Sequence, residues 1–172
     1  MLKLAGALCI MAGCVGWGEG KIREEKDRVR HLRELIRIIR RIQEEIRYGK
    51  RTLPEICLIL SEYSDPWYRP HFRKIYEQLD RRNGTGLNAV WLRQMAFCFQ
   101  GVPLQEEEKD VLIRLPENMG IQEETLQAEN IGLSMDMLIR KCRQAEETYQ
   151  NKSRVIRSVS ILTGFLLTII LI

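Results

Sequence analysis

Five cysteines, two histidines and one run of glutamates are the side chains here that could do chemistry. Glu106-Glu107-Glu108 looks like a cation site, but consecutive residues on a helix point three ways and cannot close a metal cage. His31 and His71 sit near arginines in helical pattern, which is the setting of a surface or satisfied structural histidine, not of a base. Cys9, Cys14, Cys57, Cys98 and Cys142 contain no C-x-x-C pair, so neither a zinc site nor a redox motif is suggested. Scattered single thiols fit a reducing compartment, where they pack as small apolar residues. Walker A, G-x-G-x-x-G and H-E-x-x-H patterns are absent. Trp67, Trp91 and the tyrosines do not alternate with basic residues on a strand, so no base-stacking platform is expected. The expectation is a non-enzymatic protein with no catalytic residue, cofactor, metal or nucleic acid, working by contact.

What must position such contacts is bounded by composition. The chain has 172 residues, with 27 Lys+Arg interspersed among 23 Asp+Glu, a formal net charge of +4 and a pI of about 8.9. Mixed charges of this kind describe a solvated helical surface, whereas a nucleic-acid footprint would gather bases with few acids among them.

The ends differ from the middle. Leu2 to Trp17 is apolar or small apart from Lys3, and Val159 to Ile172 is apolar apart from Ser160, Thr163 and Thr168. A helix needs about 20 apolar residues to cross a hydrocarbon core of roughly 30 Å. The first segment reaches this as Leu2 to Gly20, with Lys3 snorkelling to one interface and Trp17 in the other. The second draws in Val155 and Ile156, with Arg157 extending back to the headgroups. Two short transmembrane helices are therefore expected, at 1–20 and 158–172, around a helical domain at 21–157. Lys21, Arg23, Lys26, Arg28 and Arg30 follow the first span, and Lys152, Arg154 and Arg157 precede the second. The positive-inside bias then places the domain in the cytoplasm. Ala12, Gly16 and Gly20 form a small-residue stripe suited to packing on another membrane helix. The alternative is that Met11-Ala12-Gly13-Cys14 is a lipoprotein cleavage box, leaving an anchored binding module on the outer membrane face.

Between the ends the pattern is helical throughout. From Ile22 to Tyr48, Val29, Leu32, Leu35, Ile36, Ile39, Ile42 and Ile46 recur every three or four positions, and Arg33, Arg37, Arg40 and Arg41 occupy the other face. Glu34, Glu44 and Glu45 are available as partners one turn away. Gly49 is expected to stop this helix in a left-handed conformation. Thr52, Pro54 and Glu55 then predict a capping box opening a second helix that buries Ile56, Ile59 and Leu60. A third follows Ser64-Asp65-Pro66, with Trp67, Phe72, Ile75, Tyr76 and Leu79 on its helical spacing. Asn83-Gly84-Thr85-Gly86 is a turn, and a fourth helix from Leu87 to Phe99 turns Val90, Trp91, Met95 and Phe99 inward. After Gly101-Val102-Pro103, a fifth helix is expected over Leu104 to Asn118, closed by Gly120. Gln122 to Arg157 is a last long helix with Leu126, Leu133, Met137 and Leu138 in the core and Gly132 as a weak point. The fold class is an all-α helical bundle, its first and last helices side by side.

With these residues in hand the chain resembles the stage III sporulation protein AB family of endospore-forming bacteria. The most specific element is Glu45-Ile46-Arg47-Tyr48-Gly49-Lys50-Arg51-Thr52-Leu53-Pro54-Glu55, which looks like the family's E-I-x-Y-G-x-T-P-L-P-E, with Arg51-Thr52 in place of Thr-Pro. Leu115 to Gly120, Glu123, Gln127, Leu138, Ala145 and the ending Leu162-Thr163-Gly164-Phe165-Leu166-Leu167 also match, and Ser160 stands where a glycine is usual. The resemblance implies a component of the channel complex between mother cell and forespore, set in the mother-cell membrane. It also implies a domain similar to the cytoplasmic helical domains of type II secretion platform proteins. By that analogy it would dock the secretion-type ATPase of the same operon, the AA protein, alongside other membrane proteins of the channel and membrane lipid. Arg33, Arg37, Arg40, Arg41, Tyr48 and Gly49 are the expected contact residues for that partner.

Overall fold

The computed structural model describes residues 2–49, 51–81, 86–119 and 124–171. They form seven helices and, among the described residues, no strand: α1 (Leu2–Arg47), α2 (Leu53–Tyr63), α3 (Arg69–Asp80), α4 (Leu87–Cys98), α5 (Glu106–Ile113), α6 (Leu115–Met119) and α7 (Glu124–Leu171). Contacts divide the chain into two units, Arg30–Cys142 and a second made of Met1–Val29 with Arg143–Ile172.

The unit Arg30–Cys142 holds a core near the faces that periodicity marks, although Ile46 is exposed, Ile36 and Ile59 are half-buried, and Ile38 and Cys57 bury instead. Leu32, Leu35, Ile38, Ile39 and Ile42 of α1 are buried, as are Ile56, Cys57 and Leu60 of α2, Phe72 and Ile75 of α3, and Val90, Trp91 and Met95 of α4. Each large apolar side chain buried in this way contributes about 1.5–3 kcal/mol from its removal from water. Helix α2 starts as expected, with Thr52 as N-cap and the Glu55 carboxylate accepting hydrogen bonds from both the Thr52 amide (2.8 Å) and hydroxyl (2.9 Å). The Thr52 backbone amide, then its hydroxyl, hold the Glu55 carboxyl below its usual range.

Several expectations need correction. The left-handed glycine among the described residues is Gly101 (φ 73°), just past the end of α4, and Gly49 is not left-handed. The single fifth helix is two, because a turn at Arg114 separates α5 from α6. Pro116 explains the break. It has no N–H to give the carbonyl of Leu112, four residues back, and its ring crowds that turn. The same proline suits the first turn of the next helix. The freed Leu112 carbonyl accepts the Trp91 indole N–H instead, at 2.8 Å. Trp67 is 44 % exposed, and the neighbouring Tyr68 is the fully buried aromatic. On α7, Leu138 is buried as expected, but Leu133 is exposed, and Ile131 and Cys142 bury in its stead. Gly132 leaves α7 unbroken. The turn at Asn83-Gly84-Thr85, the stop at Gly120, and Gln122 and Glu123 lie outside the described residues, as does the burial of Leu126.

In the second unit α1 and α7 run beside one another, and the Lys152 ammonium donates to the Glu25 carboxylate at 2.5 Å. Both helices are continuous over the long stretches the pattern suggests. Among the described residues, however, no helix is long and apolar enough to cross a membrane. Gly20 is exposed, and a Cβ there would meet nothing within 4 Å. The side chains at Ala12 and Gly16 lie outside the described residues.

Candidate functional site

The arginine row of α1 opens onto a groove of about 590 Å³ shared with α2 and the α2–α3 corner. Its position follows from the helix: burying Leu35, Ile38, Ile39 and Ile42 turns Arg33, Arg37, Arg40 and Arg41 outward. Arg37, Arg40 and Arg41 line the groove on one side and Tyr63 and Arg69 on the other, with Ile59 and Pro66 as its accessible apolar surface above the packed Ile38 and Leu60. Arg33 is exposed but does not line it.

The wall opposite α1 is held by one buried carboxylate. Glu34 lies 5 % exposed and accepts the Asp65 backbone N–H at 2.7 Å and the Arg37 guanidinium at 3.3 Å. Asp65 in turn accepts the Trp67 amide at 2.9 Å on its own side chain, closing the corner locally. Beyond it, the Trp67 indole donates to the Cys98 carbonyl at 2.9 Å, and the Tyr68 hydroxyl shares a hydrogen bond with His31 Nδ1, also 2.9 Å. Tyr68 packs edge-on against both His31 and Phe99. Burial, with the neighbouring Cys98 thiol and the Glu34 and Asp65 carboxylates, pushes the Tyr68 phenol far above its usual range, so it keeps its proton. His31 is thus a buried, bonded structural group.

The corner from α1 to α2 is organised around Glu45. This carboxylate is 8 % exposed and receives Arg41 at 2.9 Å and Arg51 at 3.0 Å. A Cβ on Gly49 would stand 2.6 Å from the Glu45 carboxylate and 2.8 Å from its backbone carbonyl. The glycine is therefore required by close approach, where a left-handed stop had been expected from its place after the helix. Gly49→Ala is expected to lower the unfolding free energy by about 1–3 kcal/mol, read from the shift of a urea midpoint. Tyr48 does nothing of this kind: it is 75 % exposed, with the Arg47 guanidinium 5.5 Å from its ring centre.

The six residues expected to make contact therefore separate. Arg41 and Gly49 are committed to the α1–α2 corner, Arg37 is loosely tied to Glu34, and Arg40 and Tyr48 point outward. Arg40 makes no hydrogen bond or ion pair among the described residues. What the sequence reading missed is Tyr63, 79 % exposed on the far wall, and Arg69, whose Nε donates to the Ser64 carbonyl at 2.7 Å. The tyrosine beside Ser61 and Glu62 at the polar end of α2 was the available signal.

Comparison with known proteins decides the lineage. The family model described as stage III sporulation protein AB matches residues 3–172. The chain belongs to the stage III sporulation protein AB family. The stage III sporulation protein AB of Bacillus subtilis (strain 168) is 25 % identical over 171 residues, covering 99 % of each chain. A solved structure of a stage III sporulation protein AB superposes with a TM-score of 0.63 at 22 % identity, over 72 % of this chain and 97 % of that one. That likeness carries the all-helical fold, and the family match carries the link to sporulation.

The thiols follow from the same packing. Cys57, Cys98 and Cys142 are buried thiols outside any disulfide, and burial pushes both Cys57 and Cys98 up to about 12. Labelling by a water-soluble disulfide reagent should therefore be slow at these three positions in the folded chain and fast in denaturant. Equal rates in both conditions would contradict the packing. The same burial makes native thiol labelling of these positions a poor probe of membrane sidedness.

Proposed function

We propose that the chain is a non-enzymatic membrane component of the sporulation channel between mother cell and forespore, acting as a platform that docks the cytosolic secretion-type ATPase of its operon. The observation that carries the reading is the arginine face of α1, held outward by a fully packed opposite face and opening on a groove. Arginine and tyrosine supply much of the binding energy at protein interfaces, and both line this groove. The mixed surface charge favours a protein partner over nucleic acid.

Membrane attachment through the two apolar ends accords with the basic residues that flank them and with the pairing of α1 and α7 in one unit. Cleavage and acylation at Cys14 would require the basic stretch from Lys21 to Arg30 to be exported, which favours a helical anchor. The domain would then face the mother-cell cytoplasm, with the termini outside. Reporter fusions at each terminus and in the loop near Asn83 test this, and an exported loop fusion refutes it.

For docking, Arg40→Glu is the informative variant, since Arg41→Glu would repel Glu45 and Arg37→Glu would repel Glu34, each damaging a corner. Recovery of the ATPase with the membrane-embedded chain should fall by about tenfold or more, corresponding to about 1.4 kcal/mol. Unchanged recovery from a folded variant removes this face from the interface.

A further inference from the structure

The groove has a chemistry more specific than a docking face. Four arginines line it against three carboxylates, and two of those carboxylates, Glu34 and Asp65, are already turned to backbone N–H groups. Glu44 is the remaining acid, and Arg40 has no ion pair among the described residues. Arg69 uses its Nε on the Ser64 carbonyl, which leaves its terminal nitrogens unspent. Planar guanidinium groups bind carboxylates through paired N–H donors, and a compact ammonium cannot do the same. Between them the accessible apolar surface comes from half-buried Ile59 and exposed Pro66, and Tyr63 stands exposed at the rim.

We infer that this groove takes an acidic peptide segment of a protein partner, its carboxylates on Arg40 and Arg69 and an apolar side chain against Ile59 and Pro66. Charge complementarity selects a peptide. An anionic lipid surface is flat, and it would find that apolar surface recessed between the two walls. The inference deepens the platform reading and rests on it only for which protein supplies the segment.

The test uses the full chain in uncharged detergent and a short fluorescein-labelled peptide rich in glutamate with interspersed leucines, followed by anisotropy. A matched peptide with lysine in place of glutamate is the control. Saturable binding of the acidic peptide is expected, weakening as salt rises. Arg40→Glu should weaken it by about tenfold or more and Tyr63→Ala measurably, with the helical circular dichroism of both unchanged. Arg40 and Tyr63 make no internal hydrogen bond or ion pair among the described residues, so folding should survive both changes. Equal binding of the lysine peptide, indifference to Arg40→Glu, or displacement by phosphatidylglycerol vesicles in place of the peptide would each overturn the inference. Peptide binding without ATPase recovery would refute the platform and leave the groove standing. ATPase recovery with a silent groove would do the reverse.

Discussion

Trp91→Ala is expected to cost about 3–5 kcal/mol of unfolding free energy, the largest loss of any single change considered for this fold. The indole is completely buried, faces Phe72 with ring centres 6.1 Å apart, and donates to the Leu112 carbonyl at 2.8 Å. Truncation opens a cavity and strands that carbonyl in apolar surroundings together. A domain of this size has about 5–15 kcal/mol in total, so the variant should unfold at much lower urea or fail to accumulate. Trp91→Phe separates the two effects. It restores most of the volume and leaves the carbonyl unpaired, for a loss of about 1–3 kcal/mol. A Phe variant as unstable as the Ala variant would mean that packing contributes little here, contrary to the burial.

Glu34→Ala is the second. Its carboxylate is the acceptor for the Asp65 backbone N–H, so its loss leaves a half-buried donor without its charged partner and releases Arg37. Hydrogen bonds to charged groups contribute about 1.5–3 kcal/mol, and a loss in that range is expected by urea titration. The α2–α3 corner should loosen locally as well. Hydrogen exchange at Trp67 and Tyr68 is the direct measurement, and it should quicken more than exchange in α4. Uniform acceleration across the bundle would show that Glu34 acts on global stability alone.

How much of this was legible beforehand depended on range. Periodicity of three and four located the buried face of α1 because each residue's neighbours lie within the same helix. The Thr52–Glu55 capping box was equally plain, since every atom in it belongs to one turn. Distant partners were invisible. Nothing around Glu34 distinguishes it from Glu44, yet one is buried against Asp65 and the other is exposed, because only the fold brings the α2–α3 corner there. Helical spacing singles out Trp67 while the fold buries Tyr68, for the same reason. Adjacent residues exchange faces with a small rotation of the turn, and the turn is set by Asp65. Gly49 is legible as the residue that stops the helix, but what requires glycine there is crowding by Glu45, held by two arginines, and not a left-handed conformation. Of the groove, the α1 wall was readable and the wall bearing Tyr63 and Arg69 was not.

Pro116 has an effect that reaches beyond its own helix. The acceptor it leaves vacant on Leu112 can be met only by a donor of fixed height and direction, and the Trp91 indole is that donor. A register slip of α4 by a single residue would swing the indole aside by about 100° and abandon the acceptor. The azimuth of α4 is thereby dictated by an interruption in a neighbouring segment, which makes the break a means of alignment.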